Sequence, residues 1–562
     1  MRPLHPLVER LIVERGIGDI ESFCAPSYDE RPDPFLMRDM DVAVERVLLA
    51  FSRGETVAVW SDYDCDGVPG GALMRDFFKL INYPLTSYIA ERSEGYGLNK
   101  AGIAKLHEEG VSLIISVDCG ITAVAEVTFA KTLGVDVIIT DHHLPQEYGL
   151  PNAVAVLNPH RADCEYPFKE LCGTGVAFKF AEAILARGSF ATTPGALKWL
   201  LDLVAIATIA DMVSLTGENR TLVHFGLVVL KKGRRKGLRT LLEKMRIPIA
   251  TITEDDISFS VAPKINAASR MKSPQLALEL LTTTDDVRAK ELAKELVRLN
   301  DARKLEGARV AKEVKHRLEG RPLGNVIVLG HVDWKPSLLG IAATNIVETY
   351  QKTVCLWGKE GDLIKGSCRS NGSVNIVALM THAKEAFIEF GGHELSGGFS
   401  VKAEAIHTLS EILEEKYAGA TTVDAPTTKK SATDPLKASL GELNTSLYES
   451  MRALAPFGMG NPKPLFSILD VRVEQLMYFG SHQEHARVTF SDEMGKKIDA
   501  VSFFISRAPF KSTLSLLSKG DRVTITGSFE QSFFGNKKEM RLRLEEISLA
   551  APVTSRTVEY TS

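Results

Sequence analysis

The rhythm of hydrophobic and polar positions changes several times along this chain. From about 41 to 215, short apolar runs at 57–60, 113–117 and 135–140 alternate with amphipathic stretches of helical period. That alternation predicts a parallel sheet built from β-α-β units. A further apolar segment, 203–210, stops at Asp211. Residues 285–318 are rich in Ala, Glu, Lys, Arg and Leu and lack proline, which predicts a helix of about 50 Å. Their apolar spacing is too irregular for sustained heptads. A second α/β pattern follows over 323–418, with strands at 326–329 and near 354 and 364, helices at 337–350 and 374–387, and a glycine-rich run, Phe390-Gly391-Gly392-His393-Glu394-Leu395-Ser396-Gly397-Gly398-Phe399. Residues 419–436, rich in Thr, Ala, Pro and Lys, read as a linker. Five strand candidates close the chain, at 465–473, 486–490, 498–504, 522–529 and 540–544.

The expected architecture is therefore α/β. A strap over 1–40, holding a short amphipathic helix and a proline-rich stretch, leads into a parallel-sheet domain over 41–285. A long helix over 286–322 joins it to a second α/β domain over 323–418, and the linker leads to a C-terminal β-barrel of the OB-fold type over 437–550. Five short strands in about a hundred residues suit that barrel, a common binder of single strands through aromatic stacking and a basic groove. Phe503, Phe504, Phe529, Phe533, Phe534, Lys537 and Lys538 supply such groups. Adjacent Phe503 and Phe504 cannot both point inward on a regular strand.

Three of the apolar runs end in chemistry. The first leads to Asp62-Tyr63-Asp64-Cys65-Asp66-Gly67, the second to Asp118-Cys119-Gly120, the third to Asp141-His142-His143. Parallel strands deliver their carboxyl ends to one edge, so residues far apart in sequence can converge there. Three aspartates in five residues repel one another unless a cation sits among them, and hard oxygen ligands favour a divalent ion. An EF-hand loop begins the same way, but it needs a bidentate Glu at its twelfth position, where this chain has Leu73, and a helix before it. A lone Asp after a strand is ordinarily a cap and a lone His pair a surface feature. Together with Asp211 these groups form the inventory of a two-metal hydrolase, whose cations lie about 3.5–4 Å apart and share the charge of an attacked phosphorus.

Composition narrows the setting. The 562 residues exceed a single core, and 44% hydrophobic and 25% charged residues are ordinary for a globular protein. No apolar stretch is long enough to span a bilayer and the N-terminus has no signal-peptide core, so a cytoplasmic protein without a membrane role is expected. A net charge of −4 gives no global nucleic-acid footprint. The basic cluster Lys231, Lys232, Arg234, Arg235, Lys236 and Arg239 reads equally as a helix end or a phosphate contact. Seven cysteines without Cys-x-x-Cys spacing argue for free thiols and against a disulfide framework or a structural zinc. Cys65 and Cys119 are expected to pack, leaving Mg²⁺ or Mn²⁺ to the oxygen ligands.

Asp-Tyr-Asp-Cys-Asp-Gly, Val-Asp-Cys-Gly, Thr-Asp-His-His and Ala-Asp-Met-Val-Ser-Leu resemble the four motifs of the DHH phosphoesterase superfamily. Within it, Glu91-Arg92-Ser93-Glu94-Gly95-Tyr96-Gly97, the 263–271 stretch Pro-Lys-Ile-Asn-Ala-Ala-Ser-Arg-Met, and Pro456-Phe457-Gly458-Met459-Gly460-Asn461-Pro462 resemble landmarks of the RecJ single-stranded-DNA exonucleases, nearly end to end. The resemblance implies that Asp64 and Asp118 hold one ion while Asp66, Asp118, His142 and Asp211 hold the other. His143 would then attend the scissile phosphate and Asp62 would assist from behind the ligands. It further implies 5′-to-3′ polarity, with the 5′ end of single-stranded DNA held by Arg92, Arg270, Ser367 and Arg369. The Gly391-Gly392-His393 element, like the glycine motif of DHHA1-type domains, would face the active site, where clustered amides can cradle phosphate. A monomer working beside a helicase and a single-strand-binding protein in recombination and repair is implied as well.

Two departures stand out. Trp60 occupies a position where many relatives carry a His, which puts a choice between Mn²⁺ and Mg²⁺ in doubt, and Lys264 replaces a common Arg. A DHH oligonucleotidase or cyclic-dinucleotide phosphodiesterase shares the metal set and the glycine motif but is typically shorter and lacks the barrel. A non-catalytic replication-fork scaffold would have lost the carboxylates that are present here.

Overall fold

The computed structural model describes residues 3–146, 149–420, 434–480, 483–505, 508–534 and 537–549, without the side chains of 533–538. Two compact units result, one of Ser27–Pro426 with Gly458–Asn461, the other of Met1–Pro26, Thr427–Phe457 and Pro462–Ser562.

In the larger unit, β1 (Thr56–Ser61), β2 (Thr86–Ile89), β3 (Val111–Val117), β4 (Asp136–Thr140) and β5 (Ala155–Leu157) form one sheet in the order β2-β1-β3-β4-β5. Every pairing is parallel. β1 is buried on both faces: Val57 and Val59 enter one core, Ala58 and Trp60 the other. A continuous apolar run is what a strand covered on both sides requires. Register places Ser61 beside Val117 and Val117 beside Thr140. The residues that follow each strand, Asp62, Asp118 and Asp141, therefore leave the same edge together.

The segment ending at Asp211 departs from the strand-end expectation, because 201–210 is the helix Leu201–Ala210, buried along almost its whole length. It packs against the helices Gly67–Leu80 and Gly217–Lys231. A helix buried all round carries no amphipathic period, so its apolar run reads like that of a buried strand.

The helix Asp286–Leu318 spans 33 residues, close to expectation. It leads within the same unit to β6 (Val326–Gly330), β7 (Thr353–Glu360), β8 (Leu363–Arg369), β9 (Phe387–His393) and β10 (Ser396–Val401), in the order β6-β7-β8-β10-β9. The expected glycine-rich loop is instead the β9–β10 hairpin, with Gly391 opposite Gly398 and Gly392 opposite Gly397. Free thiols were expected throughout, but register sets Cys355 opposite Cys368 and their sulfurs are bonded. Neighbouring strands bring two cysteines together irrespective of their spacing in sequence. Cys65, Cys119, Cys164 and Cys172 are buried or nearly so and take part in no disulfide.

The smaller unit holds β11 (Leu436–Lys437), β12 (Leu465–Phe479), β13 (His485–Ser491), β14 (Lys497–Ser502), β15 (Arg522–Phe534) and β16 (Lys537–Leu549). β12 pairs with both β13 and β15, which closes the barrel. The amphipathic helix Pro6–Glu14, read as part of a strap, puts Leu7, Val8, Leu11 and Ile12 into this unit's core. Among the described residues no helix is long and apolar enough to cross a membrane.

Candidate metal centre and phosphate pocket

Asp62, Asp66 and Asp118 are buried at 4%, 2% and 2% exposure, a placement carboxylates avoid unless something compensates their charge. Partial compensation comes from the backbone. The Asp66 carboxylate accepts from the amides of Gly173 (2.6 Å) and Thr174 (2.8 Å), at the amino end of the helix Gly173–Arg187. Helix amino ends favour anions. A Cβ on Gly173 would lie 2.5 Å from the Asp118 Cβ, so only glycine lets that helix end approach. Asp64 accepts from the amides of Asp66 and Gly67, while the Cys65 amide donates to Asn266 at 3.0 Å.

Asp118 is the least compensated. Its backbone has a φ of 62°, a conformation non-glycine residues seldom adopt, and its Oδ1 is buried with no hydrogen-bond donor. That oxygen lies 3.3 Å from His142 Nε2, with Asp66 and Asp211 at 3.7 and 3.6 Å from the same nitrogen. Ligand atoms fall within 4.8 Å of one another in three sets: Asp62, Asp64 and Asp118; Asp66, His142 and Asp211; Asp118, His142 and His143. Oxygen donors with one or two imidazoles suit Mn²⁺ or Mg²⁺, and the orphaned Asp118 oxygen is where a cation is wanted.

The electrostatics agree. Burial, then the charges of Asp66, Asp64, Asp62 and Asp211, push Asp118 well above the ordinary carboxylate range. Burial and Asp64 do the same to Asp62. Asp211 is pushed up to about 8 by burial and then by Asp66 and Asp64. The adjacent histidines diverge. Burial holds His142 below its ordinary value, leaving a neutral imidazole suited to ligation. Burial acts in the same direction on His143, but the hydrogen bond and charge of Asp141, 2.8 Å away, and the charges of Asp211 and Asp66 outweigh it and raise the ring to about 9. Asp141 is wholly buried; its other oxygen accepts from the Ile121 amide, and the charged His143 holds it low against burial. Tyr96 donates to the Asp118 carbonyl at 3.1 Å and stands 3.2 Å from His143 Nδ1.

Beside the acids lies a cavity of about 190 Å³ lined by Arg92, Arg270, Ser337, Gly340, Ser367 and Arg369, among others. Arg92 lies over the Tyr63 ring at 4.1 Å and donates to Ser269. Arg270 donates to the Ser337 carbonyl and Arg369 to that of Cys368. A Cβ on Gly340 would sit 2.6 Å from Arg369 Nη2, so glycine leaves room for that guanidinium. Burial, then Arg92 and Arg303, lower Arg270 to about 10. Among the described residues none of these arginines has a carboxylate at ion-pair distance.

The sequence-predicted residues thus divide. Asp62, Asp64, Asp66, Asp118, His142, His143 and Asp211 converge, with Asp62 among the potential ligands instead of behind them. Arg92, Arg270, Ser367 and Arg369 converge next to them. Gly391, Gly392 and His393 lie on the edge strand β9, with β10 between them and β8, and do not line the cavity. The Trp60 ring points away from Val57 and Val59 into the other core, stacked on Tyr88 at 4.2 Å. Gly173 and Thr174 escaped sequence reading, although the run Cys172-Gly173-Thr174-Gly175 opening a helix was a usable sign, and Asn266 stood in the 263–271 stretch without a role of its own. The 231–239 cluster is largely structural: Arg235 pairs with Asp76 (2.7 Å) and Asp202 (2.9 Å), and Lys236 with Asp286 (2.8 Å).

In the barrel unit Phe503 and Phe504 are 37% and 53% exposed, beyond the end of β14. They cluster with Phe479 and His485, and Arg541 lies 5.6 Å from the Phe503 ring. Phe529 is core, while the side chains of Phe533, Phe534, Lys537 and Lys538 lie outside the described residues.

A parallel sheet that gathers aspartates and a His pair at one edge, next to an arginine-lined pocket, defines a phosphoesterase site of the DHH class. Accordingly the DHH family N-terminal domain matches residues 56–208, the DHHA1 domain 323–419 and the RecJ OB domain 436–546. The single-stranded-DNA-specific exonuclease RecJ of Bacillus subtilis is 33% identical over 97% of this chain and 68% of its own length. That of Escherichia coli is 30% identical over 82% and 83%. The crystal structure of Thermus thermophilus RecJ with Mn²⁺ superposes with a TM-score of 0.78 at 26% identity, covering 98% of this chain and 76% of that one. The chain belongs to the RecJ family.

Proposed function

We propose that the protein is a divalent-cation-dependent exonuclease that hydrolyses single-stranded DNA from its 5′ end. The observation that carries this reading is the juxtaposition of two oppositely charged sites, each only partly compensated from within: the buried carboxylates, and the cavity of Arg92, Arg270 and Arg369. A chain end with its terminal phosphate in the cavity offers its next phosphodiester to the acids, and one nucleotide leaves. The homologous RecJ proteins, named as exonucleases specific for single-stranded DNA, support the substrate class.

Asp62, Asp64 and Asp118 would hold one cation and Asp66, His142 and Asp211 the other, with Asp118 between them. Mn²⁺ or Mg²⁺, when bound, supplies Lewis acidity toward the phosphodiester and toward an attacking water. The chain's own contribution is distinct. His143, cationic at neutral pH and oriented by Asp141, stands where it can stabilise charge on the scissile phosphate or give a proton to the departing 3′ oxygen. Arg92, Arg270 and Arg369 select a terminal phosphate by forked hydrogen bonds. The exposed Phe503 and Phe504 offer stacking surfaces to the bases of a single strand. Work beside a helicase and a single-strand-binding protein, as a monomer in the cytoplasm, accords with family membership.

The decisive assay supplies single strands labelled at either end, with Mn²⁺ or Mg²⁺. Mononucleotide release from the 5′ label first is expected, and none from Asp118→Asn. Release from the 3′ label first, or activity that survives the substitution, overturns the reading; faster turnover of a dinucleotide than of a long strand would favour an oligonucleotidase.

A further inference from the structure

The connecting helix Asp286–Leu318 carries five arginines, and four have a glutamate partner. Arg298 meets Glu295 at 2.8 Å and Arg309 meets Glu306 at 2.6 Å, each three residues earlier; Arg317 meets Glu313, four earlier; Arg288 meets Glu279 at 2.6 Å. Arg303 is the exception. Three residues before it stands Asn300, whose Oδ1 accepts from Nε at 3.2 Å and Nη2 at 3.0 Å. Asn300 is wholly buried and its Nδ2 has no partner, so it is a fixed, neutral support. Among the described residues no carboxylate lies at ion-pair distance from Arg303.

More positive charge surrounds it. Lys264, on the helix Ala262–Met271, is half-buried and held below its ordinary value by burial, then by Lys304 and by Arg303, with Asp301 opposing. Burial lowers Arg303 as well. The helices Ala262–Met271 and Pro336–Tyr350, which carry Arg270 and Gly340 of the phosphate cavity, both pack on Asp286–Leu318, so this patch adjoins the cavity, and Arg270 is lowered by Arg92 and Arg303 alike. Yet Arg303, Lys264 and Lys304 do not line that cavity. A guanidinium oriented by a neutral amide, partly desolvated and crowded by like charges, is poorly placed unless an anion joins it. Its unused edge suits phosphate oxygens.

We propose that Arg303, oriented by Asn300 and backed by Lys264 and Lys304, is a second phosphate-binding station beside the terminal-phosphate cavity. The proposal rests on the nuclease reading and specifies a subsite of it. The phosphate belongs either to an internal phosphodiester of the bound strand or to a further phosphate on a 5′-polyphosphate end.

Binding without turnover separates these sources. Fluorescence anisotropy in EDTA would follow a 3′-labelled oligothymidylate of about twelve nucleotides carrying a 5′-hydroxyl, 5′-monophosphate or 5′-triphosphate, with wild type, Arg303→Gln and Arg303→Lys. For an internal phosphodiester, Arg303→Gln weakens binding about tenfold for all three ends, and the slope of log affinity against log salt falls by about 0.7. For a polyphosphate end, the loss is confined to the triphosphate. Arg303→Lys keeps the charge and the salt slope but loses a few-fold in affinity with the fork, and it decides the question if the glutamine variant does not fold. A loss shared by the mono- and triphosphate and absent from the hydroxyl assigns Arg303 to the terminal cavity and overturns a second station. Unchanged affinity and slope overturn it too, with the nuclease reading intact; a wild type that binds no strand removes both.

Discussion

Asp211 offers a test of whether cations, and not the fold, demand the acid cluster. It caps the carboxyl end of the helix Leu201–Ala210, where unsatisfied carbonyls already disfavour negative charge. Burial, then Asp66 and Asp64, push it up to about 8, with His143 opposing. A carboxyl raised in the folded state binds its proton more tightly there than in the unfolded chain, so stability falls as pH rises from about 4 to about 8. At 1.36 kcal/mol per unit the cost at pH 8 is at most about 5 kcal/mol, and an effective dielectric near 20 with local relaxation brings it to roughly 2–3 kcal/mol. Asp211→Asn removes the charge at nearly constant shape. In EDTA at about pH 8 the variant is expected to melt several degrees above wild type, with the gap closing toward pH 4. Adding Mn²⁺ reverses the order, because a bound ion stabilises only the form that holds it well. Thermal melts by circular dichroism over that pH range read all of this. A variant no more stable than wild type in EDTA at pH 8, or one whose advantage is independent of pH, refutes the repulsion argument.

Arg369→Gln is expected to raise KM for a 5′-phosphorylated strand about tenfold, roughly the worth of one charge-assisted phosphate contact, and to leave a 5′-hydroxyl strand unaffected; equal losses on both would show that the cavity does not hold the terminal phosphate. His143→Gln should lower kcat by about a hundredfold or more with little change in KM, and a steady-state analysis showing the reverse split would assign the ring to substrate binding. Trp60→His should destabilise the fold by about 3 kcal/mol through lost packing against Tyr88 without raising Mn²⁺ affinity, because the ring leaves β1 on the face away from Val57 and Val59; calorimetric titration showing tighter Mn²⁺ binding would contradict that placement. Phe503→Ala should weaken single-strand binding by about 1–3 kcal/mol, and unchanged affinity would make the exposed ring incidental.

The parts of this molecule legible in its sequence are those set by local rules. Strands β1, β3 and β4 announce themselves because a both-faces-buried strand is apolar throughout, and parallel register carries Asp62, Asp118 and Asp141 to one edge whatever lies between. Asp211 was found as chemistry and misplaced as structure, since a helix buried on every side lacks the period that distinguishes it from a strand. What compensates the acids was invisible for a different reason. Gly173 and Thr174 act through backbone amides, and the space a missing Cβ leaves beside Asp118 depends on a contact between residues 55 positions apart. The Cys355–Cys368 bond likewise follows from β7–β8 register, which spacing rules for cysteine do not express.

Arg303 belongs to a third category, present in the sequence but readable only against its helix. Once Asp286–Leu318 is known to be one continuous helix, the residue three or four positions before each arginine becomes its neighbour. That comparison singles out Asn300 among Glu295, Glu306 and Glu313. A glutamate there would have paired Arg303 as its counterparts are paired and left the helix uniformly self-compensated. A neutral amide in that place keeps the guanidinium oriented and its charge available. The same logic joins the two halves of the site. Carboxylates that their amide donors compensate only in part and guanidiniums left without carboxylates lie side by side in one unit and do not neutralise each other, because the backbone holds each set in place. Two unmet charges of opposite sign at fixed separation are what a substrate with a cation-bridged phosphodiester and a free terminal phosphate can satisfy together, and a neutral ligand can satisfy neither.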